Sequence, residues 1–356
     1  MKQENHVIIR TDSQNFKMTQ TEREILNSIG AKIYEIELAE EIYKFDEDSE
    51  IFNAEAIIVS NNYVKEDLIN RLKNLKIIGR MGIGVDKIDI DTATKNGVLV
   101  ANCPKFCIGE VADHVMAFLL ACNKMLIKWD KLFRKCALSE KAWDEINELQ
   151  NDDNHPIRIC RKKLGLIGFG NIARAVAERA RPFGLEIWAY DPYIDKKIFE
   201  KYKVKERTME EIFKNCEFVS LHIPLKKETH HLIDEKYFKM MKPEATFINT
   251  ARGQIIVEED LVRALKEKWI SWAAVDVYEY FAVHGSNLCK VDSSYFGLDN
   301  AILTPHVSAN SKDSFNEVKK TSAENVVRVL TGYWPEDYVN KDVIPKNKLQ
   351  KYNYKS

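Results

Sequence analysis

Short apolar runs alternate with amphipathic stretches along nearly the whole chain. HVIIRT (6–11) reads as a buried strand and TQTEREILNSIG (19–30) as a capped helix ending at Gly30. AKIYEIE, AEAIIVSN (54–61), LKIIGRMG (75–82) and GVLVANC (97–103) continue the strand series, with VKEDLINRLKN (64–74) as a helix between two of them. A helix over roughly 109–127 is apolar on most faces, which predicts burial between domains or against a second subunit. Residues 128–158 are polar, carry Trp129 and Trp143, and read as a long excursion. A second alternation follows, with strands at KLGLIGFG (163–170), LEIWAYD (185–191), FVSLHI (218–223), ATFINTA (245–251), ISWAAVDVY (270–278) and NAILTPHV (300–307). NIARAVAERARPFG forms a helix closed by Gly184, and a last amphipathic helix covers about 312–331. Two such series predict two doubly wound α/β domains, each around a parallel sheet.

With 356 residues, 45% of them hydrophobic, there is apolar mass for two cores. A net charge of −1 with scattered Lys and Arg gives no basic stripe, which argues against nucleic acid as a partner. The start MKQENHVIIR lacks a signal-peptide core, and the longest strongly apolar run, VMAFLLAC (115–122), is far too short to span a membrane. Seven cysteines without a CxxC pair read as reduced thiols in the cytoplasm, and no zinc-type spacing is present. The His230–His231 pair reads as structural, not as a metal site. His114 reads as a packing or dimer contact.

Gly168, Gly170 and Ala173 make G-x-G-x-x-A between an apolar strand and a helix, and Asp191 closes the next strand. The first glycine permits a tight turn, the second lets backbone approach a pyrophosphate, and the small third residue lets helix pack on strand. The helix N-terminus adds N–H groups and positive dipole to the phosphates. Asp191 would accept from the adenosine ribose and repel a 2′-phosphate, which favours NAD over NADP. Arg252, Asp276 and His306 each stand at or just beyond a strand's carboxyl end, where open parallel sheets bind ligands. An arginine there can grip a carboxylate and polarise a carbonyl, a histidine can exchange a proton, and an aspartate can hold the nicotinamide amide. The set fits oxidation of a 2-hydroxy acid or reduction of a 2-oxo acid. His222, at another strand end, has a supporting place near the cofactor.

The stretches GRMGIGVDKIDI (79–90), VANCPKFCIGEVADHV (100–115), LGLIGFGNIARAVA, WAYDPY, SLHIPLKKETHHLID (220–234), MKPEATFINTARGQIIVEEDLVRALK and ILTPHVS (302–308) resemble the D-isomer-specific 2-hydroxyacid dehydrogenases over residues 50 to 340 or so. The branch that includes carboxy-terminal binding proteins is the most similar. The resemblance implies a discontinuous, flavodoxin-like substrate domain (1–104 and 307–356) and a Rossmann NAD domain (105–306). It also implies hinges near Pro104 and His306, the active site in the cleft, and a homodimer involving the 109–127 helix. It makes Arg252 the substrate-binding arginine, His306 the acid–base histidine and Asp276 the acid near the nicotinamide. Met81, Gly82, Ile83 and Gly84 match the loop that meets the substrate carboxylate. Asn171, Ile172, Pro224, Thr250 and Ala251 match cofactor contacts, with Phe169 and Thr229 beside them.

The pattern breaks at Phe281, where the family carries the glutamate that pairs with its histidine, and the stretch from there to His306 is several residues longer than usual. Three readings stay open. Glu279 or Asp292 takes the glutamate's role, or His306 works unpaired with an acidic optimum for reduction, or the chain chiefly senses NAD(H). Phe281 is also expected to line the substrate pocket.

Overall fold

The inner apolar runs become fully buried strands of parallel sheets, which helices cover on both faces. The structure, a computed structural model, describes residues 6–14, 16–136, 141–150, 156–279 and 294–352. Phe281 and Asp292 lie outside these residues. The chain divides into one unit of residues 1–107 and 311–356 and a second of residues 108–310.

In chain order the first unit holds β1 (Val7–Arg10), α1 (Gln20–Asn27), β2 (Lys32–Glu35), β3 (Ala56–Val59), α2 (Glu66–Arg71), β4 (Ile77–Arg80), α3 (Ile90–Lys95) and β5 (Leu99–Ala101). The strands form one parallel sheet in the order β2-β1-β3-β4-β5, the flavodoxin-like order. A capping box between Thr19 and Glu22 starts α1. Glu22 also accepts from the fully buried Arg10 at 2.8 Å, which ties the helix start to β1.

The second unit holds α4 (Ile108–Asn123), α5 (Leu126–Cys136), α6 (Lys141–Gln150), β6 (Lys163–Ile167), α7 (Asn171–Ala180), β7 (Glu186–Tyr190), α8 (Lys196–Lys201), β8 (Lys205–Glu206), α9 (Met209–Asn215), β9 (Phe218–Leu221), α10 (Glu235–Met240), β10 (Thr246–Asn249), α11 (Glu258–Lys266), β11 (Trp272–Val275) and β12 (Ala301–Leu303). Its parallel sheet runs β12-β11-β10-β9-β6-β7-β8. The chain therefore winds outward from β6 to β8 on one side and from β9 to β12 on the other, with the switch point between β6 and β9. α12 (Lys312–Leu330) then rejoins the first unit and packs on α1, β3 and β4.

Three sequence expectations change. The helix expected over 109–127 stops at Asn123, because Met125 turns left-handed (φ 54°) and starts a new direction. Within its own unit it packs on α7, β10 and β11. The 128–158 excursion is helical over much of its length, as α5 and α6, and the two-residue β8 was not foreseen.

Candidate active site

The glycine turn follows β6. Gly168 has φ 90°, and a Cβ there would lie 2.8 Å from the His222 carbonyl oxygen, so the turn packs directly on the end of β9. A Cβ on Gly170, the N-cap of α7, would meet nothing within 4 Å, so the helix start faces open space. Asn171, at the start of that helix, is exposed and Ile172 half-buried, while Ala173 is buried as the motif requires. Phe169 stands between the two glycines. Its ring is fully buried and stacks on Phe199 at 5.1 Å, so this side chain is core and only its backbone borders the turn. That N–H donates to Asp191 Oδ2 at 2.9 Å, and Asp191 Oδ1 accepts from the Tyr193 N–H at 3.0 Å. The carboxylate is thereby fixed beside the turn, with a lone pair on each oxygen still available.

Across the switch point, polar atoms are buried without partners among the described residues: Ser220 Oγ, His222 Nε2 and Thr250 Oγ1. They lie in or just beyond adjacent strands β9 and β10. An orphaned buried polar group costs about 1–3 kcal/mol, so three in one place fit a site that a polar ligand completes. Glycine turn, open helix start, fixed carboxylate and orphaned donors together fit a dinucleotide. Pro224 and Thr229 are otherwise occupied. The Thr229 hydroxyl donates to the Pro224 carbonyl at 2.7 Å and accepts the Lys226 N–H at 2.7 Å, closing the 224–229 loop on itself.

Burial pushes the His222 imidazole down to about 3. The unfolded imidazole takes up a proton below about 6.5, so in acid the unfolded state binds more protons than the fold. Stability should therefore fall as pH drops from about 6.5 toward 3, by at most about 1.4 kcal/mol per pH unit for one proton. Urea denaturation at pH 6.5 and pH 5 should show a loss up to about 2 kcal/mol smaller in His222→Gln than in the wild type. An equal loss in both proteins would refute this.

At the other strand ends two side chains fasten the loops. The buried Asn249 accepts the Ala251 N–H at 3.0 Å and donates to the Arg252 carbonyl at 3.0 Å, so one amide holds both sides of the turn that carries Arg252. That turn packs against the next one, since a Cβ on Gly253 would lie 2.0 Å from the Tyr278 carbonyl carbon. Asp276 is fully buried and accepts three hydrogen bonds: Thr304 Oγ1 (2.5 Å) and Val307 N (2.8 Å) on Oδ1, and Ser308 N (2.9 Å) on Oδ2. Read from the sequence as an acid near the nicotinamide, it clasps the segment that carries His306. His306 is exposed and left-handed (φ 57°), a conformation such anchoring has to sustain. His114 joins the same cluster through Thr304 Oγ1 at 3.2 Å, and burial lowers its pKa against the opposing pull of Asp276. None of these long-range bonds has a signal in local sequence.

Register places these groups together. Asn249 pairs with Val275 and Val275 with Leu303, so Arg252, Asp276 and His306 leave the carboxyl ends of three adjacent strands. Glu279, one candidate to replace the family glutamate, accepts from His231 Nε2 on Oε1 at 2.7 Å. In the first unit the loop after β4 buries Met81. The N–H groups of Met81 and Gly82 donate to Val59 and Arg80, while the carbonyls of Ile83 and Gly84 accept from Asn102 and Arg80. A groove of about 620 Å³ beneath α5 and α6 is lined by Leu132, Leu149, Trp272 and Ala301. It lies at the amino ends of β11 and β12, the end of the sheet away from the groups just described.

A parallel sheet with a glycine turn at its switch point and charged groups at its carboxyl ends defines a nicotinamide-dependent oxidoreductase domain. Residues 116–308 match the family profile described as D-isomer specific 2-hydroxyacid dehydrogenase, NAD binding domain. D-3-phosphoglycerate dehydrogenase of Methanocaldococcus jannaschii is 34% identical over 92% of this chain, which spans only 59% of that protein. Glyoxylate reductase of Thermococcus litoralis is 34% identical over 79% of this chain and 82% of its own length. The crystal structure of D-lactate dehydrogenase from Aquifex aeolicus, complexed with NAD and lactic acid, superposes with a TM-score of 0.79 at 25% identity, covering 94% of this chain and 99% of that one. The chain belongs to the D-isomer-specific 2-hydroxyacid dehydrogenase family, whose chemistry is hydroxy–oxo acid interconversion with a nicotinamide cofactor. No helix among the described residues is long and apolar enough to cross a membrane.

Proposed function

We propose that the chain interconverts a small D-2-hydroxy acid and its 2-oxo acid, using NAD rather than NADP. The observation that carries this reading is the anchoring of Arg252 and His306 at the ends of adjacent strands by Asn249 and Asp276. Arg252 binds the substrate carboxylate and polarises the neighbouring carbonyl. His306 gives a proton to the carbonyl oxygen during reduction and takes it back from the hydroxyl during oxidation. A bound nicotinamide supplies or accepts the hydride. The resemblance also assigns the 81–84 loop to the carboxylate, and in that loop the N–H groups of Met81 and Gly82 donate to Val59 and Arg80.

The preference for NAD rests on the fixed Asp191 carboxylate, which repels a 2′-phosphate. A homodimer is part of this reading, supported by apolar exposure on α5 and α6, with Phe133 at 64% and Trp143 at 50%. A cytoplasmic location agrees with the free state of the described cysteines.

A panel of 2-oxo acids, each followed by NADH consumption, tests the function. At least one acid should turn over, with NADH favoured over NADPH by about 10-fold or more and the ratio falling in Asp191→Ala. Tight NADH binding without turnover of any acid would instead mark a sensor of the cofactor.

Asp276→Asn tests the anchoring. An amide must turn one N–H group toward an N–H or hydroxyl donor, losing about 1.5–3 kcal/mol of charge-assisted bonding. We expect kcat/KM to fall by about 10- to 100-fold as His306 loses its position. NADH affinity should change much less. Unchanged turnover would remove Asp276 from the positioning of His306.

A further inference from the structure

Consecutive side chains normally diverge, but the left-handed backbone at His231 (φ 52°) brings the rings of His230 and His231 to 4.0 Å between centroids. Glu279 stands against them, with Oε1 at 2.7 Å from His231 Nε2. One nitrogen of each imidazole and one carboxylate oxygen all lie within 4.8 Å of one another. Main-chain bonds hold two of the three donors in place. The His231 N–H donates to the Gln254 carbonyl at 2.8 Å, and the Glu279 N–H donates to Glu258 Oε2 at 2.9 Å. The His230 ring is exposed and makes no hydrogen bond among the described residues.

Two neutral imidazoles and a carboxylate are the donor set of zinc and its first-row neighbours. In a tetrahedral zinc site the edges between such ligands are about 3.4 Å, so the metal would displace the proton shared by His231 and Glu279, release it to water and open their 2.7 Å contact, while rotation of the exposed His230 ring brings in the third ligand. We propose that His230, His231 and Glu279 form a binding site for one divalent transition-metal ion, with zinc as the best match and water in the remaining position. Such an ion would join the loop after β9 to the turn after β11. Both of these neighbour Gln254, two residues beyond Arg252.

The test is titration of the untagged full chain with zinc chloride, followed by calorimetry and thermal unfolding. Wild type should bind a single equivalent and unfold at a higher temperature. His230→Ala keeps the His231–Glu279 hydrogen bond but removes a ligand, so its zinc affinity should fall by about 10-fold or more. Glu279→Gln should show the same loss. Equal zinc binding in wild type and both variants would place the ion elsewhere and overturn the proposal, as would absence of binding up to millimolar zinc.

Discussion

Replacing Arg252 with alanine is expected to lower kcat/KM for 2-oxo acid reduction by about a thousandfold, a loss of about 4 kcal/mol. The magnitude follows from removing a charged, two-pronged grip on the substrate carboxylate together with the group that polarises the carbonyl. NADH affinity should stay within about threefold of wild type, because Asn249 fixes the turn through main-chain atoms that alanine keeps. Lysine at this position should recover only part of the loss, since an ammonium cannot match a carboxylate with two parallel bonds. Steady-state kinetics with one active 2-oxo acid and fluorescence titration of NADH would check both halves. Loss of NADH binding in step with activity would show that Arg252 serves the fold or the cofactor instead of the substrate.

Gly253→Ala should have the largest effect on stability. The added methyl would stand 2.0 Å from the Tyr278 carbonyl carbon, 2.2 Å from its oxygen and 2.4 Å from the Glu279 nitrogen. All three are main-chain atoms, so no rotamer change can relieve the overlap. Two turns at the ends of β10 and β11 would have to part by more than an ångström, at a cost of about 4 kcal/mol or more. For a unit of this size that corresponds to a melting temperature lower by about 8–16 °C. Calorimetry would read the shift directly. A melting temperature within about 3 °C of wild type would mean the turns can separate freely. The Arg252 turn would then be less constrained than its neighbours suggest.

Much of this architecture was legible in the sequence because its signals are local. Apolar runs of strand length, the Gly168–Gly170 turn, Asp191 closing the next strand and arginine at the end of FINTAR each announce themselves within a few residues. The alternation announces two parallel sheets, and the family resemblance supplies their flavodoxin-like and Rossmann-like character. What escaped depends on atoms far apart in the chain. The bonds from Asp276 to Thr304, Val307 and Ser308 reach about thirty positions along the chain. Phe169 sits inside a cofactor motif, but Phe199 and Tyr202 claim its ring for the core. The break at Met125, left-handed at φ 54°, carries no proline or glycine to mark it. Glu279 was weighed as a partner for one histidine and stands beside another, His231.

The clasp around Asp276 bears on how this chain can diverge. Tyr278 bonds the carbonyls of both Val275 and Thr304, at 3.3 and 3.0 Å, and Asp276 grips Thr304, Val307 and Ser308. The two ends of everything between residues 278 and 304 are thus riveted to neighbouring strands. With those ends secured, each doubling of a flexible loop between them costs only about 0.6 kcal/mol of closure entropy. Insertions and deletions between them can therefore leave the arginine and histidine at their stations.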